Sequence, residues 1–269
     1  MYTAIECTTF GPVDGLQVVE RESPSLRPGT VRIAVSAAGV NYVDNLLVEG
    51  RYQIKPPLPF VPGMEVVGRV TELAPDVSEL DGEPLAVGDR VFANLTFGGF
   101  ATEAVAAVGQ LVRVTPSLSD GQAATFLQSY MTGWYALRRR ADVRPGQSIL
   151  VLGAGSGVGL AAVDLAAAFG LHVIAAASTT DKRALAESLG AEATIDTSAL
   201  DAAGVKDAAR QFAAAFDGGT GGVDVLYDPV GGALGETCLR ALGEDGQYLV
   251  IGFVTGIPAL PANQVLLRN

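Results

Sequence analysis

The feature that most constrains this chain is the run from Ser148 to Gly159. A short apolar block, Ile149-Leu150-Val151-Leu152, leads into Gly153-Ala154-Gly155-Ser156-Gly157-Val158-Gly159, and an Ala-rich helical segment follows at once. A buried strand, a sharp glycine turn and a helix open a βαβ unit. Glycines let the backbone turn tightly and approach a pyrophosphate, while free N–H groups and the positive end of the helix dipole favour its negative charge. The spacing is not a strict G-x-G-x-x-G, because the sixth position counted from Gly153 is Val158 and that counted from Gly155 is Leu160. On its own such a turn also suits mere tight packing, but its place between strand and helix points to nucleotide binding.

The second half repeats the alternation. Strands are expected at Ser148–Leu152, His172–Ala177, Ala193–Ile195, Val223–Tyr227 and Gln247–Gly252, with helices near Val158–Phe169, Asp181–Leu189, Lys206–Phe216 and Ala233–Leu242. That pattern is an α/β, doubly wound parallel sheet. Such a sheet has about six strands, and the chain is expected to stop ahead of the last. From Met1 to about Pro116 the grammar is different. Short β-rich runs at Val31–Ala37, Met64–Val70, Arg90–Ala93 and Ala101–Ala106 are separated by turn groups such as Arg27-Pro28-Gly29 and Gly98-Gly99, which predicts a small β-barrel or sandwich. An Ala-rich helix is expected from Asp120 to about Arg140. Two domains follow, 1–119 and 120–269.

Charge and single residues exclude several functions. With 18 basic and 29 acidic side chains the net charge is −11, which opposes nucleic-acid binding. The basic run Arg138-Arg139-Arg140 reads as a solvated helix end. Ile149 to Ala177 is interrupted by Asp164, Gly170 and His172 and is read as strand, helix and strand, with no membrane span. The N-terminus has no secretory pattern, and Cys7 and Cys238 have neither disulfide nor metal spacing, so the cytoplasm is the expected compartment. His172 is the only histidine. A zinc site of His and Cys ligands cannot be assembled around it, nor a Ser-His or Cys-His nucleophile.

The end of the second strand bears on the cofactor. NAD-binding folds place an acidic residue about 20 positions beyond the glycines to bond the ribose hydroxyl. Here the segment reads Ala177-Ser178-Thr179-Thr180-Asp181-Lys182-Arg183. Small hydroxyls followed by Lys182 and Arg183 suit a 2′-phosphate and favour NADPH over NADH, with Asp181 a few residues late for the ribose. The same residues also make an ordinary helix start with Thr180 as N-cap, and both readings can hold together.

Taken together, Ala38-Gly39-Val40-Asn41-Tyr42-Val43-Asp44, Gly50-Arg51-Tyr52, Pro62-Gly63-Met64-Glu65-Val66-Val67-Gly68, Gly88-Asp89-Arg90-Val91 and Gly153 to Gly159 resemble the zinc-independent quinone oxidoreductases. These form the ζ-crystallin-like branch of the medium-chain dehydrogenase/reductases. The resemblance covers essentially the whole chain. It implies a GroES-like β-domain and a Rossmann domain, with NADPH and substrate in a cleft between them. Zinc-containing relatives carry a histidine where this chain has Met64. Two tyrosines of some members correspond to Leu46 and Thr197, and the family's usual A-x-x-G-x-x-G turn has Gly153, Ser156 and Gly159 here.

Carried over by position, the resemblance implies that Asn41 lies beside the nicotinamide and Thr132 faces the cofactor from its helix. It places Gly155, Ser156, Gly157 and Val158 at the pyrophosphate, Ser178 and Lys182 at the 2′-phosphate, and Val230 and Phe253 on loops after the fourth and fifth strands. Asn41 also suits a turn, and Val230 and Phe253 also suit core. The implied reaction is hydride transfer from NADPH to a quinone or similar conjugated carbonyl without a metal, with Asn41 and Tyr52 as the best donor candidates for the developing oxyanion. Asp44 would hold one of them or a water in place, although it also suits a simple cap or turn. An enone or enoyl-thioester reductase, or a non-catalytic NADPH-binding protein, are the alternatives. Family members continue through a sixth strand that pairs across a homodimer and then return to the β-domain, so Ile257 to Asn269 is expected to be the approach to that strand.

Overall fold

The computed structural model describes residues 1–216 and 221–267. Arg268 and Asn269, at the end of the expected approach to a sixth strand, lie outside the described residues. The chain forms two compact units, Met1–Gln128 and Ser129–Asn269.

The first unit contains β1 (Tyr2–Glu6), β2 (Gln17–Arg21), β3 (Thr30–Gly39), α1 (Tyr42–Val48), β4 (Glu65–Leu73), β5 (Glu79–Leu80), β6 (Glu83–Pro84), β7 (Arg90–Asn94), β8 (Glu103–Ala107), β9 (Leu111–Arg113) and α2 (Asp120–Ala124). Its main sheet is antiparallel in the order β8-β3-β4-β7-β9. Alternation sets the faces. In β3, Val31 and Ile33 enter the core beside Val66, Val70 and Val91, while Arg32 between them bonds Glu72 and Glu103 at 2.8 and 2.6 Å. Helix α2 belongs here, because Ala123 and Ala124 pack on Val67 and Phe92. The compact unit therefore runs past the residue-119 boundary expected from the sequence.

The expected helix from Asp120 to Arg140 is broken. After α2 comes α3 (Phe126–Trp134), and the last turn, Tyr135–Arg140, widens to π geometry with the Ala141 N–H donating to Ala136 O at 3.0 Å. The break falls at Thr125, whose hydroxyl bonds back to the Gly121 and Gln122 carbonyls and competes with helix propagation.

The second unit continues with β10 (Ser148–Val151), α4 (Gly157–Ala168), β11 (His172–Ala177), α5 (Thr180–Ser188), β12 (Ala193–Asp196), α6 (Ala202–Phe216), β13 (Val223–Asp228), α7 (Gly232–Cys238), β14 (Leu242–Val250) and α8 (Ala262–Leu266). All sheet pairs are parallel, in the order β12-β11-β10-β13-β14. Ile149, Val151, Val173, Ala175, Val225 and Tyr227 face one way, against Ala162, Val163 and Ala166 of α4. Leu150, Leu152, Ile174, Ala176 and Leu226 face the other, against Val205, Ala209 and Ala213 of α6. Burial on both faces is why these strands read as unbroken apolar runs.

The fifth strand differs from expectation. It starts at Leu242, which pairs with Val223, and then resumes at Gln247 opposite Val225, so Gly243–Gly246 bulge from the ladder. Among the described residues no helix is long and apolar enough to cross a membrane.

Candidate functional site

In a doubly wound sheet the ligand crevice opens at the carboxyl ends of the strands where the strand order reverses. Here that point lies between β10 and β13, and the glycine turn sits on it. The Ala154 N–H donates to Ala176 O at 3.0 Å, tying the turn to β11. Ser156 is the N-cap of α4: its hydroxyl accepts the Gly159 N–H at 3.2 Å and donates to Gly153 O at 2.8 Å. A Cβ on Gly159 would stand 2.3 Å from Gly153 O, so only glycine lets the helix begin this close to the turn. Gly153 has a φ of 57°, in the left-handed region.

A cavity of about 210 Å³ lies against this turn. Gly153, Gly155 and Ser156 form one wall, and Ala177, Ser178 and Thr197 close the β11 side. Val230 and Leu234 contribute from beyond β13, and Lys182 from α5 is the cationic residue of the lining. The Lys182 stem lies directly over Gly155, where a Cβ would come within 2.5–2.7 Å of three of its carbons.

Of the expected cofactor residues, Gly155, Ser156, Ser178, Lys182 and Val230 thus come together in one place. Gly157 and Val158 are the first two residues of α4, outside the lining, and Phe253 is half exposed on the loop after β14. Thr132 lies on α3, which packs along α4 through Tyr130, whose hydroxyl donates to Asp164 at 2.6 Å. Burial, with that carboxylate, pushes the Tyr130 pKa up to about 12.

Two details of the α5 start are corrected. The N-cap is Thr179, whose side chain accepts the Lys182 N–H, and not Thr180. Arg183 does not join Lys182 at the cavity; it is paired with Asp196 at 3.0 Å and bonds the Ala177 carbonyl and the Thr180 hydroxyl. Asp181 is not among the lining residues. His172 is engaged in packing, stacked on Phe216 at 4.8 Å with Nδ1 3.0 Å from Glu192.

The first unit holds the other expected residues. Asn41 is the N-cap of α1 and is held from two sides. Its backbone N–H donates to Asp44 Oδ2 at 2.8 Å, and its side-chain Nδ2 donates to Glu65 Oε1 at 2.8 Å. Glu65 Oε2 accepts the Gln128 N–H at 3.0 Å. Both carboxylates are buried, and burial pushes both pKa values above the ordinary range, against the pull of the N–H donors around them. Tyr52 and Met64 pack on Cys7, Leu47, Val48 and Phe60. Among the described residues no group of three or more His, Cys, Asp or Glu side chains is arranged to hold a metal ion.

Residues 27–132 match the alcohol dehydrogenase GroES-like domain and residues 157–269 the zinc-binding dehydrogenase model. A quinone oxidoreductase-like protein 2 homolog of Nematostella vectensis is 38% identical over 274 residues, spanning 100% of this chain and 70% of that protein. The chain belongs to the quinone oxidoreductase family of the medium-chain dehydrogenase/reductases. Among solved structures of that family, the quinone oxidoreductase of Thermus thermophilus, also solved in complex with NADPH, superposes with a TM-score of 0.80 at 32% identity, covering 99% of this chain and 77% of that one. A segment of the polyketide synthase GfsB of Streptomyces halstedii is 37% identical over 227 residues, 84% of this chain and 4% of the synthase.

Sequence reading overlooked Asp228 in this member of the quinone oxidoreductase family. It ends β13 fully buried. Its Oδ1 accepts the Val230 and Gly231 N–H groups at 2.7 and 2.8 Å, and its Oδ2 accepts the Tyr248 hydroxyl at 2.5 Å. It thereby shapes the loop that brings Val230 to the cavity. The usable signal was a carboxylate closing an apolar parallel strand at the crevice end of the sheet.

Proposed function

We propose that this protein is an NADPH-dependent oxidoreductase that delivers a hydride to a quinone or similarly conjugated carbonyl without a metal ion. The observation that carries the reading is the cavity at the carboxyl ends of β10 and β13, where a capped helix N-terminus, a glycine wall and one lysine converge. The residues fit the cofactor. The α4 N-terminus and the glycine backbone suit a pyrophosphate, and the Lys182 ammonium with the Ser178 hydroxyl suits a 2′-phosphate. The Thermus thermophilus relative, solved with NADPH, supports the same choice.

When bound, NADPH supplies the hydride. The chain's own residues bind and orient. Ser156 holds the helix start against the turn, Val230 presents an apolar wall, and Lys182 reads the phosphate. With Met64 where zinc-containing relatives have histidine, the acceptor must be electrophilic through its own conjugation, and Tyr52 is assigned as the hydrogen-bond donor to the reacting carbonyl. Asn41, expected from the sequence as a second donor, has its Nδ2 engaged by Glu65 Oε1 and is assigned a place beside the nicotinamide instead. A second reading, hydride delivery to the alkene of an enone or enoyl thioester, is favoured by the likeness to a polyketide synthase segment.

The test is titration calorimetry with NADPH and NADH, followed by NADPH oxidation against a panel of a quinone, an enone and an enoyl thioester. Quinone turnover is the expected result, and enoyl-thioester turnover alone would select the second reading. Binding without oxidation of any acceptor would leave a non-catalytic NADPH-binding protein, and absence of binding would end all three. Lys182→Ala is expected to weaken NADPH by about 10- to 100-fold, the range of a hydrogen bond to a charged group, and to leave NADH unchanged.

A further inference from the structure

We propose that Glu65 is a positioning residue that sets which way round the Asn41 side-chain amide points, so that Asn41 offers its carbonyl Oδ1 to a donor on the bound reactant or cofactor. The use of that amide rests on the oxidoreductase reading above; its orientation does not.

An ionised carboxylate only accepts hydrogen bonds. Glu65 takes one N–H on each oxygen, from Asn41 Nδ2 at 2.8 Å and from the Gln128 backbone at 3.0 Å. Asn41 must therefore turn its nitrogen inward, and the geminal oxygen points elsewhere. The carboxylate cannot drift, because it is 1% exposed and lies against Gly39, where a Cβ would come 2.5 Å from Oε1. Asp44 fixes the same residue's backbone through a 2.8 Å bond. Asn41 is thus oriented before anything binds, and ordering it costs little on binding. Burying two carboxylates around one asparagine is an expensive way to cap a seven-residue helix. It is well suited to holding one amide in one orientation.

Glu65→Gln reverses the polarity while preserving every bond. The Gln oxygen accepts the Gln128 N–H, its amide nitrogen donates to Asn41 Oδ1, and Asn41 flips to present Nδ2 outward. The first readout is nitrogen-edited NMR of the Asn41 side chain in the protein without cofactor. One amide proton is expected downfield and protected from exchange, and Glu65→Gln is expected to abolish that signature. Two equivalent, freely exchanging protons in the wild type would overturn the proposal.

The second readout is kcat/KM for NADPH oxidation by 1,4-benzoquinone in Asn41→Ala, Glu65→Gln and the double variant. If Glu65 acts through Asn41, each single change lowers kcat/KM by about 10-fold or more and the double variant falls no lower than Asn41→Ala. Wild-type kinetics in Glu65→Gln, or losses that multiply, would show that Glu65 serves only the fold. Calorimetry on the wild type separates the two levels: failure to bind NADPH removes the oxidoreductase reading, whereas the NMR signature alone decides the amide's orientation.

Discussion

Gly159→Ala tests whether the glycine turn is built by contact or by composition. A Cβ at this position stands 2.3 Å from Gly153 O and 2.9 Å from the Ala154 Cα, and both obstacles are backbone. Reaching even 3.0 Å from 2.3 Å requires α4 and the turn to separate by about 0.7 Å. Overpacking of this kind costs about 1–3 kcal/mol. The same movement stretches the Ser156 cap, already 3.2 Å from the Gly159 N–H, for about 1 kcal/mol more. Alanine's better helix propensity returns about 1 kcal/mol. The net loss is about 1–3 kcal/mol, which at roughly 2–4 °C per kcal/mol lowers Tm by about 2–12 °C. Because the retreating group is the helix N-terminus, NADPH affinity should fall by about 3- to 10-fold as well. Scanning calorimetry and NADPH titration measure the two effects on one sample. Gly109→Ala is the control, since a Cβ there meets nothing within 4 Å. If Gly159→Ala melts and binds like the wild type, the close approach of helix and turn is not what specifies glycine, and the reasoning fails.

Other predictions concern groups the fold has buried. Asp228→Ala orphans two backbone N–H groups and the Tyr248 hydroxyl and should cost about 3 kcal/mol in urea unfolding, while Asp228→Asn, which keeps an acceptor for the loop and a donor for Tyr248, should cost less. Asp44 and Glu65 titrate above their ordinary 3.8 and 4.5 in the folded state, so just above those values the native protein holds more protons than the unfolded chain and stability falls as pH rises through the window. Asp89 and Asp196 are shifted down and give the opposite slope, lost as pH falls. The buried pair is therefore read as the difference between wild type and Glu65→Gln, which should show the shallower fall; an identical pH profile would refute the assignment. Burial raises the Cys7 thiol and pushes Cys238 up to about 12, so neither should react with a disulfide reagent at neutral pH until the protein is unfolded. Rapid stoichiometric labelling of the native protein would contradict that.

The parallel sheet was legible because its strands are buried on both faces: Ile149 to Leu152 alternate between two cores, so every residue must be apolar and the strand stands out as a block. The glycine turn was legible because its requirement is local. Gly159 faces atoms six residues away or fewer, and Lys182 reaches Gly155 across one βα unit. Misreadings arose where short-range competition decides the outcome, as with the Thr125 hydroxyl interrupting a helix or the Gly243–Gly246 bulge moving the start of β14. Glu65 was hidden for a different reason. A carboxylate in sequence reads as solvent-facing, and the donor that permits its burial, the Gln128 N–H, is 63 residues away. Asp228 is less remote, since its donors lie two, three and twenty residues along the chain, but they converge only once β13 and β14 have paired. Both are places where the rule that charge stays outside fails. Such failures are costly unless every lone pair is met. In this protein they fall beside Asn41 and Val230, the residues that the oxidoreductase reading needs held still.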